Sequence, residues 1–374
     1  MSKRGYYIHE CMVKDGVSLF PGVGKKIQFQ INVFAKHFLI SEISLPDNGL
    51  VTKICKRIPF INIKEWNEIL HDIHNPNFIY IRKPFIEGGF VCFLRKTKEK
   101  YPSCKIILEL PTYPYDGELL QKNYKLVFNI PIFIKEKFYR CKLFKYVDVI
   151  ATYSNNKKIW GIPTINLKNG VDVSTIKLHN KRYKGSIANE INLISVASMQ
   201  PHHGYDRVIK GLKSYYEDNP QKKVIYHVVG NGGELENYKR MVKKYNLEQY
   251  VIFYGPLYGE KLDKVYDIAD IAIGSLGMHR IGLKSGSTLK TREYLAKGIP
   301  FIYAGGIDVF EGKDIDFALQ VTSNDSAVDI HKVVMFYDNL AKYETGLTEF
   351  IRKFAYEEID INQVFMPIIN YINQ

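Results

Sequence analysis

Cysteine is scarce and unpaired in this 374-residue chain. The five cysteines, Cys11, Cys55, Cys92, Cys104 and Cys141, are widely spaced and odd in number, and none forms a Cys-x-x-Cys pair. That pattern excludes a disulfide framework and a cysteine zinc site, and it fits a reducing compartment. Long apolar runs are missing too: none approaches the roughly 20 residues that a spanning helix needs. The opening MSKRGYYIHECMVKDG carries charge too early and too often for a secretory signal. The expectation is a cytoplasmic protein. No zinc-finger spacing, RNA-binding aromatic motif or basic-region helix is present, which makes nucleic acid the weakest of the anionic partners.

What is present is basic and globular. The formal net charge is +13, which favours a nucleotide diphosphate, a lipid phosphate or an anionic membrane surface as partner. Hydrophobic residues make up 46% and charged residues 24%, a balance that can bury a core. The 27 tyrosines and 21 phenylalanines sit mostly in apolar segments and are read as core filling. The length suits two α/β domains better than one.

Short apolar runs alternate with amphipathic stretches throughout, the pattern of βαβ units with helices on both faces of a parallel sheet. In the first half, strands are predicted at Tyr6–Val13, Phe38–Ile43, Phe78–Arg82, Lys105–Leu110, Val147–Tyr153 and Thr164–Leu167, with helices such as Lys25–His37, Ile63–Ile73 and Gly88–Lys100 between them. Gly49–Phe60 breaks the rhythm and reads as a hairpin. A polar stretch from Asn169 to Glu190 is the linker candidate. The second half repeats the alternation, with strands at Ile191–Ala197, Val224–Val229, Val251–Tyr254, Ile271–Gly274, Pro300–Tyr303 and Ala318–Val321. Asn362–Asn373 is one more amphipathic helix. The expected fold is α/β: two Rossmann-like, doubly wound domains, 1–175 and 176–354, facing across a cleft. Ligands in such sheets bind beyond the carboxyl ends of the strands.

The most informative segment runs from Ser285 to Pro300. Ser285-Gly286-Ser287-Thr288 opens a predicted helix, Leu289–Lys297, which Gly298-Ile299-Pro300 closes. Gly286 permits close backbone approach, and the amides of Ser287 to Lys290 would stand at a positive helix end suited to a diphosphate. Lys290 and Arg292 add positive charge but lie on different helix faces, so only one can point inward. Glu293, one turn on, could accept hydrogen bonds from two ribose hydroxyls.

In register, Ser285-Gly286-Ser287-Thr288-Leu289 and Glu293-Tyr294-Leu295-Ala296-Lys297-Gly298-Ile299-Pro300 resemble the motif E-G-F-G-L…E-A-x-A-x-G-x-P. Val229-Gly230-Asn231-Gly232 is similar to V-G-x-G, Val251-Ile252-Phe253-Tyr254-Gly255 to V-x-F-x-G, and Asn169-Gly170-Val171-Asp172 to N-G-V-D. As an ordered set over Val147 to Phe310, these resemble the retaining, group 1 type GT-B glycosyltransferases that build polysaccharides and glycolipids. The resemblance implies that Gly255, Pro256 and Leu257 meet a nucleotide base, Glu293 holds its ribose, and Ser285, Gly286, Ser287, Thr288 and Leu289 hold phosphate and donor sugar. It also implies that the last helix, 355–374, crosses back onto the first domain. The family's diphosphate-binding arginine and lysine correspond to Ser198 and His203, a His-Gly variant similar to a capsule and exopolysaccharide subgroup. His203 is then a phosphate donor, His202 a structural neighbour, and Lys290 the fixed charge that Ser198 lacks. Ser285 replaces a glutamate that contacts the donor sugar in relatives.

In the first domain, Gly22 and Gly24 of Gly22-Val23-Gly24-Lys25-Lys26 resemble the glycine loop that approaches donor phosphate and acceptor. Glu109, Asp116 and Arg82 are the polar candidates near strand ends, Glu109 and Asp116 as catalytic groups with Lys290 and His203. The family implies hexosyl transfer with retention from a nucleotide sugar to a glycan or polyprenyl-diphosphate-linked acceptor. No metal or other cofactor is expected, and Asp314-Ile315-Asp316 is read as exposed rather than metal-binding. A sugar-nucleotide epimerase of the same fold and a non-catalytic nucleotide-binding subunit are the alternatives. Leu119 to Lys145 interleaves Lys122, Lys125, Lys135, Lys137, Arg140, Lys142 and Lys145 with apolar residues. Such a stretch suits either a helix lying on the anionic inner face of a membrane or an ordinary helix with a solvated basic face.

Overall fold

The structure, a computed structural model, describes residues 2–374 apart from 11–12, 15–16, 19–20, 46–57, 59–64, 117–125, 180–182, 287 and 344–345. Cys11, Cys55, Ser287, Leu119 to Lys125 and nearly all of the Gly49–Phe60 hairpin lie outside the described residues. The chain divides into two compact units, Met1–Lys168 with Val364–Gln374, and Asn169–Gln363.

The first unit is built on β1 (Arg4–Glu10), β2 (Leu39–Leu45), β3 (Phe78–Arg82), β4 (Lys105–Leu110), β5 (Val149–Thr152), β6 (Lys158–Ile159) and β7 (Ile162–Asn166). They form one sheet in the order β2-β1-β3-β4-β5-β7-β6, parallel except for the β6–β7 pair. All five side chains of β3 are buried, as befits a central strand covered on both faces. Helices α1 (Pro21–His37), α2 (Glu65–Asp72), α3 (Gly88–Lys100) and α4 (Leu126–Arg140) belong to this unit. Trp66 of α2 packs its ring 4.7 Å from Phe90 and 5.0 Å from Phe93 of α3, which ties the two helices to one core.

In the second unit, β8 (Glu190–Ser198), β9 (Lys223–Asn231), β10 (Val251–Gly255), β11 (Ile271–Ile273), β12 (Phe301–Ala304) and β13 (Ala318–Val321) form a fully parallel sheet. Its order, β10-β9-β8-β11-β12-β13, is the Rossmann arrangement 3-2-1-4-5-6. Helices α5 (Asp206–Glu217), α6 (Leu235–Lys244), α7 (Gly259–Ile268), α8 (Leu289–Lys297), α9 (Ile330–Asn339), α10 (Leu347–Glu358) and the short α11 (Ile361–Val364) complete it.

Three boundaries differ from the sequence-based expectation. Helix α1 begins at Pro21, so Gly22 and Gly24 lie in its first turn and not in a preceding loop. Proline is well placed there because the first helical amide has no partner to lose. The stretch after Lys168 is not a loose linker. Val173, Ile176, His179 and Tyr183 are buried in the second unit, and the Val171 amide donates to the Ile359 carbonyl at 3.0 Å. Last, the chain joins the first unit only from Val364, through α12 (Met366–Asn373). Arg352 holds α10 in the second unit by donating to the carbonyls of Val173, Ile176 and Ala296 at 2.7 to 2.8 Å. Phe365 packs edge-on to Phe34, 5.8 Å between centroids, and Lys105 donates to the Tyr371 carbonyl.

Helix α8 ends on Gly298 in the left-handed region, φ 74°, where an added Cβ would lie 2.4 Å from the Thr348 carbonyl oxygen of α10. Gly298→Ala is expected to destabilise the second unit by at least about 2 kcal/mol, since conformational strain and overpacking add. Urea unfolding checks this as a lowered midpoint at unchanged slope.

Candidate functional site

In the second sheet the strand order reverses between β8 and β11, the switch point at which open α/β sheets place a ligand crevice. Residues 199–205 follow β8, and residues 274–288 follow β11. The two loops are bound backbone to backbone: Leu276 N–H donates to the His203 carbonyl at 2.8 Å and Gly277 N–H to the His202 carbonyl at 3.1 Å. Gly204, at φ 66°, makes this possible, because a Cβ there would stand 2.7 Å from the Gly277 nitrogen. Arg280 adds a clamp that the sequence did not reveal. Its guanidinium donates to the Pro201 carbonyl and bidentately to Asp206, at 2.8 to 2.9 Å, and reaches Asp325 at 2.7 Å. The fully buried Arg207 secures the same region by donating to the carbonyls of Leu276, Thr322 and Ser326.

This framework brings His203, Tyr205 and Lys290 together. The Gln200 amide donates to His203 Nδ1 at 3.0 Å. Nδ1 is therefore an acceptor, and the neutral ring carries its proton on Nε2. His203 thus caps its own short turn with one nitrogen and keeps the other as a donor. Burial, then the charges of Lys290 and His202, push its pKa down to about 2, so the ring stays neutral. Its ring stacks on Tyr205, 5.5 Å between centroids, and Lys290 Nζ donates to the Tyr205 hydroxyl at 3.1 Å. Burial pulls the Lys290 ammonium down to about 7, so its charge is easily lost and easily restored by a nearby anion. His202, 4.4 Å from His203 between centroids, is lowered by burial and then by Lys290.

Helix α8 begins beside this group. Thr288 is its N-cap, accepting from the Thr291 amide, which leaves the Leu289 and Lys290 amides at the positive end. Ser285 and Gly286 are not a free loop; they form a two-residue parallel ladder with Gly306 and Ile307. Of Lys290 and Arg292, it is Arg292 that turns inward. It is fully buried, donating to the Asn169 carbonyl at 2.9 Å and to Asp308, and it joins α8 to the start of the unit. Lys290 is half-buried and bonded to Tyr205 instead. Glu293 is half-buried, and its carboxylate has no hydrogen-bond partner among the described residues. Gly255, at φ 68°, ends β10, with an exposed Pro256 and half-buried Leu257 after it. Ser198 is exposed at the end of β8. Two helix-end amides, a neutral imidazole N–H and an ammonium are all donors that an anion could accept from.

The candidates of the first unit are already engaged. Glu109 is fully buried and accepts from Arg82 at 2.9 Å, Tyr153 at 2.9 Å and Gln30 at 3.3 Å, with Lys26 at 3.8 Å. Burial raises its pKa, but the charges of Arg82 and Lys26 outweigh this and hold it below the usual carboxylate range. It is a locked anion, poorly suited to taking a proton. Asp116 is held by Arg140 in a bidentate pair at 2.5 and 2.9 Å. Lys26, near Gly22 and Gly24, points at Glu109 and lies 3.8 Å over the Tyr153 ring. Asp316 of the Asp-Ile-Asp triplet accepts from Lys342 and Tyr343, and no group of three metal-ligating side chains occurs among the described residues. Glu109→Gln is expected to cost about 3–5 kcal/mol, because it leaves buried cations unbalanced, whereas the half-exposed Asp116→Asn should cost under about 1 kcal/mol. Thermal unfolding of both variants checks the contrast.

Three comparisons bear on this arrangement. No curated protein sequence matches the chain. A glycosyltransferase from Rickettsia africae matches its structure with TM-score 0.66 at 13% identity, over 100% of this chain and 99% of that one. HepE of Anabaena, solved in complex with UDP, matches with TM-score 0.62 at 12% identity, over 99% of each chain. Sucrose-phosphate synthase from Thermosynechococcus elongatus matches with TM-score 0.60 at 11% identity, over 100% and 98%. At these identities the likeness concerns the fold, which is GT-B, with two Rossmann-like domains. Within it, residues 179–303, the part that carries the crevice and α8, match the family model described as Glycosyl transferases group 1.

Proposed function

We propose that the chain transfers a sugar from a nucleotide-sugar donor to a glycan or polyprenyl-diphosphate-linked acceptor, with retention and without a metal, in polysaccharide or glycolipid synthesis. The observation that carries this reading is the meeting of Lys290, the His203 Nε2–H and the α8 amides at the strand-order reversal, with Glu293, whose carboxylate has no hydrogen-bond partner among the described residues, one turn on. Support comes from the group 1 match over the same residues and from the structural neighbour HepE, solved in complex with UDP and with UDP-glucose.

Glu293 is suited to the ribose hydroxyls, as its carboxylate only accepts. Gly255, Pro256 and Leu257 offer backbone groups to the base, and Gly286 to Leu289 border the phosphates and donor sugar. In the transfer step the bond between anomeric carbon and diphosphate oxygen breaks as the acceptor oxygen bonds to that carbon on the same face. The acceptor proton passes to the departing diphosphate. Catalysis then rests on donors fixed where negative charge grows, which needs no carboxylate pair. No helix among the described residues is long and apolar enough to cross a membrane. A cytoplasmic enzyme held peripherally at the membrane's inner face would meet a lipid-linked acceptor.

Two experiments check this reading. Nucleoside diphosphates, UDP among them, are expected to raise the melting temperature of the wild-type chain. Glu293→Ala should weaken that binding by about 10-fold or more without lowering stability; equal affinity in the variant would remove the ribose assignment. The second concerns pH. Lys290 is charged below about 7 and neutral above it, so an anionic ligand must restore its proton at higher pH. Nucleotide affinity should therefore fall by as much as about tenfold per pH unit above 7, with proton uptake on binding. Lys290→Arg, which stays charged, should flatten that slope in titration calorimetry at pH 7.5–9.

A further inference from the structure

Helix α4 is inside out. The charged side chains of Lys135, Glu136 and Arg140 are buried, while Ile130, Ile134 and Phe138 are 41%, 59% and 55% exposed. The buried charges have specific partners within the first unit. Lys135 pairs with the buried Glu87 at 3.2 Å, Glu136 with Lys83 at 3.0 Å and with the Tyr115 hydroxyl, and Arg140 with Asp116. These pairs fix which way the helix faces. Ile130, Ile134 and Phe138 recur at i, i+4 and i+8 and so form one stripe. Phe144, in the turn after the helix, extends the exposed apolar set at 56%.

Among the described side chains, Ile130, Ile134 and Phe138 do not form the buried apolar face of an ordinary amphipathic helix. Water meets the apolar stripe, and the unit's own core does not. The cations that do reach the surface are interleaved with the stripe. Lys137 and Lys145 are exposed and Lys142 is half-exposed. Lys142 Nζ lies 4.2 Å from the Phe138 ring centroid, and Lys145 Nζ lies 6.0 Å from that of Phe144. The single acidic residue between Leu126 and Lys145, Glu136, is buried and paired. An apolar stripe bordered by exposed lysines, with no exposed carboxylate on the segment, complements a surface that is apolar beneath and negative above. That is an anionic lipid bilayer.

We propose that Ile130, Ile134, Phe138 and Phe144 insert into the interface of an anionic membrane while Lys137, Lys142 and Lys145 meet its headgroups. The proposal names the surface at which the sugar acceptor is reached, yet it does not need the transferase reading, because binding can be measured without donor or acceptor.

The test is flotation of the full chain with vesicles of equal parts phosphatidylglycerol and phosphatidylcholine, at about 0.15 M salt. Co-flotation is expected, with little on pure phosphatidylcholine. The surface variant Ile134→Ser with Phe138→Ser should lose affinity on the order of 100-fold. Lys137→Gln with Lys145→Gln should lose roughly fivefold per lysine. Both variants should keep the wild-type melting temperature and nucleotide affinity. Absence of binding to anionic vesicles, or unchanged binding by the serine variant, would overturn the proposal. So would a wild-type dimer that becomes monomeric in the serine variant while vesicle binding persists, since the stripe would then be an interface between copies. Loss of vesicle binding with nucleotide affinity intact separates this proposal from the donor-site reading.

Discussion

The proposed anion site depends on two backbones touching at Gly204 and Gly277. Rossmann order alone sets the switch point between β8 and β11; it does not decide what stands there. The paired hydrogen bonds from Leu276 and Gly277 to the His203 and His202 carbonyls do that. They set His203 with its Nδ1 on the Gln200 amide, and so direct its remaining proton to Nε2. A side chain at position 204 would separate the loops by its own width. Arg280 and Arg207 then act as braces across carbonyls that the tight approach would otherwise leave unsatisfied. A neutral histidine costs less to bury than a cation, and it still offers a fixed donor to an anion. That is the physical case for histidine at 203 beside a lysine whose charge is conditional.

How much of this was legible in the sequence follows from what each element depends on. Phe78–Arg82, Lys105–Leu110 and Ala318–Val321 appear with the predicted bounds, as do Gly88–Lys100 and Leu289–Lys297. Each is a run whose burial is set by its own pattern and whose ends carry glycine, proline or charge. Helix α1 was harder, since Pro21-Gly22-Val23-Gly24 reads as a loop until the helix that proline can start is seen. The division at Lys168 and the late return at Val364 were not legible either. They rest on Arg292 reaching Asn169 and Arg352 reaching three carbonyls, contacts between residues far apart in the chain.

The site shows the same division. Lys290, Thr288 and Glu293 could be named as candidates because a helix start is a local feature, whereas His203 was a candidate only through the family resemblance. Tyr205, which links Lys290 to His203, follows the His-His-Gly sequence directly, and no motif marks it. Glu109 was visible as a carboxylate at a strand end. Its role as the shared acceptor of Arg82, Tyr153 and Gln30 depends on three other elements, and these turn a candidate base into a locked counter-ion. Periodicity in α4 identified residues sharing a face but could not say which face turned inward; Glu87, Lys83 and Asp116 decide that.

The net charge of +13 is therefore not one uniform attraction for anions. Arg82, Arg140, Arg207, Arg280, Arg292 and Lys135 are tied to carboxylates or carbonyls, and moving any of them would strand a partner. Arginine dominates that set because its rigid fork can satisfy several acceptors at once. The cations near the proposed ligands are lysines, whose charge or position can respond: Lys290, bonded among the described residues to a neutral hydroxyl, and Lys142 and Lys145, lying beside exposed rings. A locked guanidinium is already neutralised by its neighbours and gains little from a passing phosphate. A lysine whose nearest partners are uncharged has its full electrostatic interaction still to make, so an anion gains most at those positions.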